Sequence, residues 1–228
     1  MSVKHVLFVV TNAAIIGPNN RATGFFFPEI AHPFEVLDKA GIAVEYASLQ
    51  GGKPPEDGFD GSDPAQAEFV TSDSYRRMAR SRKLSEVDVL DYDAVFFPGG
   101  LGPMVDITGN PQVQAAVRRA WDGGKVVAAV CHGPSALLGV KLADGTPLVR
   151  GRKVAGFSTA EEDGYARPDV PFDLETALRE EGGLYESAAA WQPKLMVDGR
   201  LITGQNPASG TLVGEAIVAA LNGKAVAR

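Results

Sequence analysis

The stretch that most constrains this chain is Lys125–Leu138, KVVAAVCHGPSALL. Lys125–Val130 is a short apolar run rich in β-branched residues, the pattern of a buried strand. Cys131-His132-Gly133 follows with no spacer. Pro134 stands where a first helical turn opens, and Ser135–Leu138 can continue it. A strand that turns straight into a helix at a nucleophile is a nucleophile elbow. The turn lifts the side chain off the sheet and leaves backbone N–H groups around it. A helix start would also aim partial positive charge at the sulfur and favour thiolate. Cys131 is the single cysteine, so it forms no internal disulfide. The competing reading is a small, inert core residue, the ordinary fate of free cysteine.

A length of 228 residues suits one α/β domain spanning residues 1–228 with a large core. The net charge of −6 argues against a nucleic-acid or anionic-membrane surface. A lone cysteine fits a reducing cytoplasm. Val6–Val10 is too short to span a bilayer, and the ordinary strand it makes argues against a signal peptide.

Lys4–Val10 reads as a buried first strand, with a polar loop at its carboxyl end, where α/β folds place ligands. Pro28 suits a first helical position, so a helix is expected to run to Ala40, with Pro33 a possible bend and Gly41 its stop. Glu29 is a carboxylate set among phenylalanines at that helix start. It can simply complement the helix dipole. It can also be an acid in an apolar pocket, with its pKa raised so that it holds and passes a proton near neutrality.

Ala43–Leu49 is a second strand. Residues 51–88 interrupt the strand–helix alternation and read as a small helical cap over one sheet end. Pro64–Leu84 is helical and basic there, with Arg76, Arg77, Arg80, Arg82 and Lys83 on a solvated face. Asp93–Pro98 is a third strand ending in Gly99-Gly100-Leu101-Gly102-Pro103. The glycine spacing and Pro103 exclude a dinucleotide fingerprint. Gly100 is either an ordinary tight turn or an oxyanion donor, since glycine lets the backbone approach a ligand.

Asn110-Pro111 caps a helix to Trp121. Lys153–Phe157 reads as another strand, and Glu161, Glu162 and Asp163 follow it. Those acids can reach the site or cap the next helix. Asp169–Gly182 is a helical stretch, and Leu184–Ala188 can pair with the sheet. Asp198-Gly199 is a hairpin signal between two short strands. Asn206-Pro207 opens the last helix, with Asn206 read as a structural cap.

Histidine supply narrows the chemistry to His5, His32 and His132. His5 lies in the first strand, and His32 lies one turn after Glu29, where it can share that face. A zinc cluster needs more His or Cys at ligand spacing than the chain supplies, so no metal is expected.

The stretches TGFFFPEIAHPFEVL, FFPGGLGPM, VVAAVCHGPSALL, VPFDLETALREEGGLYES and LITGQNPASG, in that order along the chain, resemble the ThiJ/PfpI superfamily of the class I glutamine-amidotransferase-like fold. Within it the pattern is most similar to the glutathione-independent glyoxalases, glyoxalase III. The resemblance implies a flavodoxin-like three-layer α/β sandwich with a mostly parallel sheet, a homodimer, and a low-pKa elbow cysteine. It implies Cys131 as nucleophile, His132 as the adjacent histidine, Glu29 as the acid beside the sulfur, and Glu162 as the acid orienting the histidine. Gly100 and the His132 amide would be the oxyanion donors. Glu161 neighbours Glu162, so the third triad member is open by one residue. Glyoxalase-like members often have Gly-His-Gly where this chain has Gly100-Leu101-Gly102, so a polar pocket group is missing.

The chemistry these residues suit is a cofactor-free glyoxalase, acting on a small reactive carbonyl such as methylglyoxal in the cytoplasm. It needs a soft nucleophile, an acid that alternates protonation state and amide donors for an oxygen anion. The alternatives are a cysteine amidase or peptidase using Cys131, His132 and Glu162, and a holdase chaperone or redox sensor.

Overall fold

The computed structural model describes residues 3–224. Seven strands form the central sheet: β1 His5–Val10, β2 Ala43–Ser48, β3 Arg82–Lys83, β4 Ala94–Phe97, β5 Val126–Val130, β6 Leu195–Asp198 and β7 Leu201–Gly204. Their order across the sheet is β6-β7-β5-β4-β1-β2-β3. Every neighbouring pair is parallel except the β6–β7 hairpin. The two-residue turn of that hairpin is Gly199-Arg200, one residue beyond the expected Asp198-Gly199, because Asp198 pairs with Leu201 in the ladder; Gly199 has φ 60°.

Parallel strands must be covered on both faces, which is why β4 and β5 read as unbroken apolar runs. Side chains alternate between two cores. Leu7, Val9, Val95, Phe97, Val127 and Ala129 enter one, and Phe8, Val10, Phe96, Ala128 and Val130 enter the other. The first is closed by Val113 and Val117 of α5 (Pro111–Asp122) and by Leu174 and Leu178 of α7 (Leu174–Glu180). The second is closed by Ile30 and Leu37 of α1 (Pro28–Lys39) and by Val213 and Ile217 of α8 (Gly210–Leu221). The result is the expected three-layer α/β sandwich. The remaining helices are α2 (Pro64–Thr71), α3 (Asp73–Met78), α4 (Pro103–Asp106) and α6 (Thr159–Asp163).

Several elements differ from expectation. The basic stretch 64–84 splits into α2, α3 and the edge strand β3, which joins the sheet beside β2. Asp63 and Ser72 cap the two helices. Phe69 of α2 packs on the rings of Phe27 and Phe34, so α2 rests on α1. The run Lys153–Phe157 gives only a two-residue strand, Lys153–Val154, which pairs with Leu184–Tyr185 outside the central sheet. The elbow is followed by a 3-10 turn, Gly133–Leu137, and not by an α-helix.

Candidate active site

The carboxyl ends of β1, β4 and β5 converge, and β5 delivers Cys131 there. Cys131 has φ 60°, left-handed backbone that a non-glycine residue adopts only when its surroundings fix it. Two hydrogen bonds do so: the Cys131 N–H donates to Gly204 O (3.0 Å), and Phe157 N–H donates to Cys131 O (2.8 Å). Two residues on, Gly133 is required because a Cβ there would collide with the Phe97 carbonyl.

Cys131 is 4% exposed. The backbone N–H groups of Gly100 and His132 are directed at it. Gly100 has φ 90° and lies so close to the Gly24 carbonyl and the Phe26 N–H that a side chain cannot fit. Leu101, next to it, is packed in the core with Leu7, Val9 and Met104 and leaves the pocket to the backbone.

Glu29 comes from the first turn of α1 and is fully buried. Its Oε2 accepts the Gly99 N–H at 2.7 Å, and its carboxyl hydrogen-bonds Cys131. Burial raises its pKa to about 8, and the hydrogen bonds from Cys131 and Gly99 only partly offset that. The same burial, together with the Glu29 charge and hydrogen bond, pushes the Cys131 thiol up, while the Gly100 and His132 amides pull it down. The expectation of a thiolate favoured by a helix start is therefore corrected. A five-residue 3-10 turn aligns few peptide dipoles, and a buried carboxylate opposes them. The two groups together accommodate one negative charge, and the proton between them decides which carries it.

His132 is buried, with Nδ1 3.4 Å from Cys131 Sγ and Nε2 2.7 Å from Glu162 Oε2. Glu162 lies in α6 and is buried with it. Glu161 faces away: its Oε2 accepts from Ser158 N (2.9 Å) and Ser158 Oγ (2.7 Å) in a capping box. Its Oε1 accepts from Trp191 N and Asn206 Nδ2, both at 2.8 Å. Asn206 is thus held structurally, and it also opens the 3-10 turn that leads into α8. His32 does not share the Glu29 environment: its Nε2 lies 2.7 Å from Asp63 Oδ2, tying α1 to the start of α2. His5, the first residue of β1, sits 3.8 Å from Glu45 of the neighbouring strand β2.

Four groups were not singled out from sequence. The Gly99 N–H, one residue before the expected donor, holds Glu29. Phe157 stacks on the His132 ring with centroids 4.4 Å apart. Tyr165 and Trp191 pack in turn against Phe157. The tract G-F-S carries a signal for the first of these rings, an apolar residue at a strand end; Trp191 lies in a loop with none. Burial, then the charges of Asp57, Cys131 and Glu29, hold the Tyr165 phenol above its ordinary range, against the opposing pull of Arg21.

Among the described residues no three His, Cys, Asp or Glu side chains are grouped to hold a metal ion. The groups that converge are a thiol, an imidazole, two buried carboxyls and amide donors. That set can add sulfur to a small electrophilic carbon, stabilise the resulting oxygen anion, and move protons locally.

The sequence model described as the DJ-1/PfpI family matches residues 22–220. Glyoxalase 3 of Candida albicans is 31% identical over 215 residues, covering 89% of this chain and 91% of that protein. Among solved structures, the Rapid Encystment Protein 24 kDa of Francisella tularensis superposes with a TM-score of 0.91 at 34% identity, covering 96% of this chain and 99% of that one. The glyoxalase III structure from Candida albicans gives a TM-score of 0.84 at 28% identity, covering 95% and 97%.

Proposed function

The chain belongs to the DJ-1/PfpI family, and we propose that it is a glutathione-independent glyoxalase converting methylglyoxal or glyoxal to the 2-hydroxy acid without a cofactor. The observation that carries this reading is the buried Glu29 carboxyl hydrogen-bonded to Cys131, with its pKa raised to about 8. Relatives named as glutathione-independent glyoxalases in two yeasts support it.

Burial and Glu29 hold the Cys131 thiol protonated at rest, so the reaction draws on the minor form of the pair, with the single negative charge on sulfur and the proton on Glu29. The sulfur adds to the aldehyde carbon, and the aldehyde oxygen takes up the charge beside the Gly100 and His132 amides. Glu29 gives its proton to that oxygen, completing a hemithioacetal, and becomes a carboxylate. It then removes the hydrogen from the former aldehyde carbon. That electron pair forms a carbon–carbon double bond, and the neighbouring ketone oxygen takes up the negative charge as an enediolate. Glu29 returns the proton to the second carbon. The hydroxyl proton of the first carbon passes to the former ketone oxygen, so the first carbon regains its carbonyl as a thioester to Cys131 and the second carbon carries the new hydroxyl. Water attacks that carbonyl, the carbon–sulfur bond breaks, and the hydroxy acid leaves. His132, oriented by Glu162, takes the proton from the water. The balance is methylglyoxal plus water giving lactate.

A hydrolytic amidase would use Cys131, His132 and Glu162 and has no need of Glu29 as a proton carrier. We assign residues 1–228 to one domain, with 51–88 an insertion that adds α2, α3 and the edge strand β3, a cytoplasmic setting and a twofold homodimer. The dimer would appear by light scattering at about twice the 24.0 kDa chain mass. The function is tested by incubating the protein with methylglyoxal in the absence of glutathione and measuring lactate. Lactate that depends on Cys131 is expected; consumption without a hydroxy acid overturns the reading.

A further inference from the structure

Phe157, Tyr165 and Trp191 form a closed triangle of rings. The centroid separations are 5.9 Å for Phe157–Tyr165, 5.6 Å for Phe157–Trp191 and 6.1 Å for Tyr165–Trp191, all edge-to-face. Phe157 is buried and stacked on His132. Tyr165 is 37% exposed and Trp191 is 50% exposed. One aromatic wall therefore runs from the imidazole beside the sulfur out to solvent.

The chain holds Trp191 in place at a cost. Its φ of 64° lies in the left-handed region, which a bulky residue avoids. The Trp191 N–H donates to Glu161 Oε1, and Asn206 Nδ2 bonds both that oxygen and the Gln192 carbonyl (2.8 Å each). Glu161 and Asn206 are both fully buried. A buried carboxylate and amide thus fix a strained backbone whose ring is left half exposed at the site. Folding alone gives no reason to strain a residue and then leave its indole in water. Arg21 lies over the Tyr165 ring, its guanidinium 4.6 Å from the centroid.

We infer that Trp191 and Tyr165 form the substituent subsite for the ketone side of the substrate, selecting α-oxoaldehydes that carry an apolar or aromatic group. The inference rests on the glyoxalase reading and deepens it. An aldehyde carbon bonded to Cys131 leaves its ketone substituent free to lie along the exposed indole and phenol, since Phe157 already closes the path toward His132. Glyoxal has no substituent there, methylglyoxal has a methyl group, and phenylglyoxal has a ring that can meet Trp191 edge-to-face.

The kinetic test compares kcat/KM for glyoxal, methylglyoxal and phenylglyoxal in the parent, Trp191→Gly and Trp191→Phe. Glycine suits the left-handed backbone, so the ring is removed without adding strain. The parent should favour phenylglyoxal over glyoxal by at least about tenfold, mainly through KM. In Trp191→Gly that preference should shrink about five- to tenfold, and Trp191→Phe should restore part of it. Equal losses on all three substrates would show a purely structural residue and overturn the inference, as would an unchanged preference. Binding keeps the test independent of turnover. In the Cys131→Ala protein, mandelate should bind more tightly than lactate or glycolate and quench Trp191 fluorescence. Adding Trp191→Gly should remove the difference. A protein that turns over no α-oxoaldehyde but retains this binding order loses the glyoxalase reading and keeps the subsite. Equal binding of the three acids loses the subsite whatever the turnover.

Discussion

Glu161 and Glu162 are neighbours in the chain and face opposite ways. Glu161 accepts four hydrogen bonds, from Ser158 N, Ser158 Oγ, Trp191 N and Asn206 Nδ2. Glu162 turns its Oε2 to His132 Nε2 at 2.7 Å. A five-residue helix makes this division: one side chain closes its capping box while the next reaches the imidazole.

The two glutamates should therefore separate stability from activity. Glu161→Ala strands buried N–H donors of Ser158, Trp191 and Asn206, each worth about 1–3 kcal/mol. We expect its Tm to fall by roughly 10 °C or more. Glu162→Gln keeps the volume but removes the charge that orients and stabilises a protonated His132. We expect a Tm within a few degrees of the parent and kcat lower by roughly 10–10²-fold. A large Tm loss with normal specific activity for Glu162→Gln would contradict its role at His132.

Gly99 offers a purely steric test. A Cβ there would lie 2.7 Å from the Cys131 Cβ, 2.7 Å from Glu29 Oε2 and 2.8 Å from His132 N. The Cys131 Cβ and the His132 N are fixed by the backbone, and Glu29 Oε2 ends a side chain that is fully buried. Gly99→Ala should wedge the acid away from the sulfur and reduce lactate formation by at least about 10²-fold. Iodoacetamide labelling and activity should both change. Near-parent kcat in a folded Gly99→Ala protein would mean that the close Glu29–Cys131 contact is dispensable.

Glu29 also predicts a pH dependence of stability. Its pKa of about 8 in the folded chain lies above its ordinary 4.5. Between those values the folded protein keeps a proton that the unfolded chain has released. Stability therefore falls as pH rises through that window, by a few kcal/mol at its upper end. Glu29→Gln lacks this dependence. Urea midpoints should show the variant gaining on the parent from about pH 5 to about pH 8. Parallel profiles for the two proteins would show that Glu29 is not held protonated by burial.

Local chemistry made much of this fold readable. Pro28 and Asn110-Pro111 open helices because their fixed φ and side-chain cap act within a few residues. The apolar runs of β1, β4 and β5 are legible because parallel strands are buried on both faces. β3 was not legible, since two exposed polar residues become a strand only through distant β2. Lys153–Phe157 has strand composition, yet Phe157 turns its N–H to the Cys131 carbonyl and its ring to His132. Cys131 and His132 stand out in the elbow itself. The fold supplies what no spacing contains: Gly99 reaching Glu29 across 70 positions, His32 meeting Asp63, and Trp191 pinned by Glu161.

The sharpest prediction separates proton transfer from nucleophile tuning at Glu29. In a hydrolase, a carboxyl beside the sulfur adjusts the nucleophile, and its loss should slow the first chemical step modestly. In a glyoxalase the same group must take a proton from one carbon and give it to the next, after the sulfur is already bonded. Glu29→Gln keeps the size and can still meet the Gly99 backbone and Cys131, but it has no proton to cycle at this pH. The variant should fold, and Cys131 should still add to methylglyoxal, giving a mass increase equal to one substrate molecule. The adduct should then stall as the hemithioacetal, with lactate released at least about 10²-fold more slowly than by the parent. Cys131→Ala should give neither adduct nor lactate. Following adduct mass and lactate in the same sample reads the two steps separately. Lactate within a few-fold of the parent rate from Glu29→Gln would remove Glu29 as the proton carrier. Loss of the adduct itself would place Glu29 at the addition step instead.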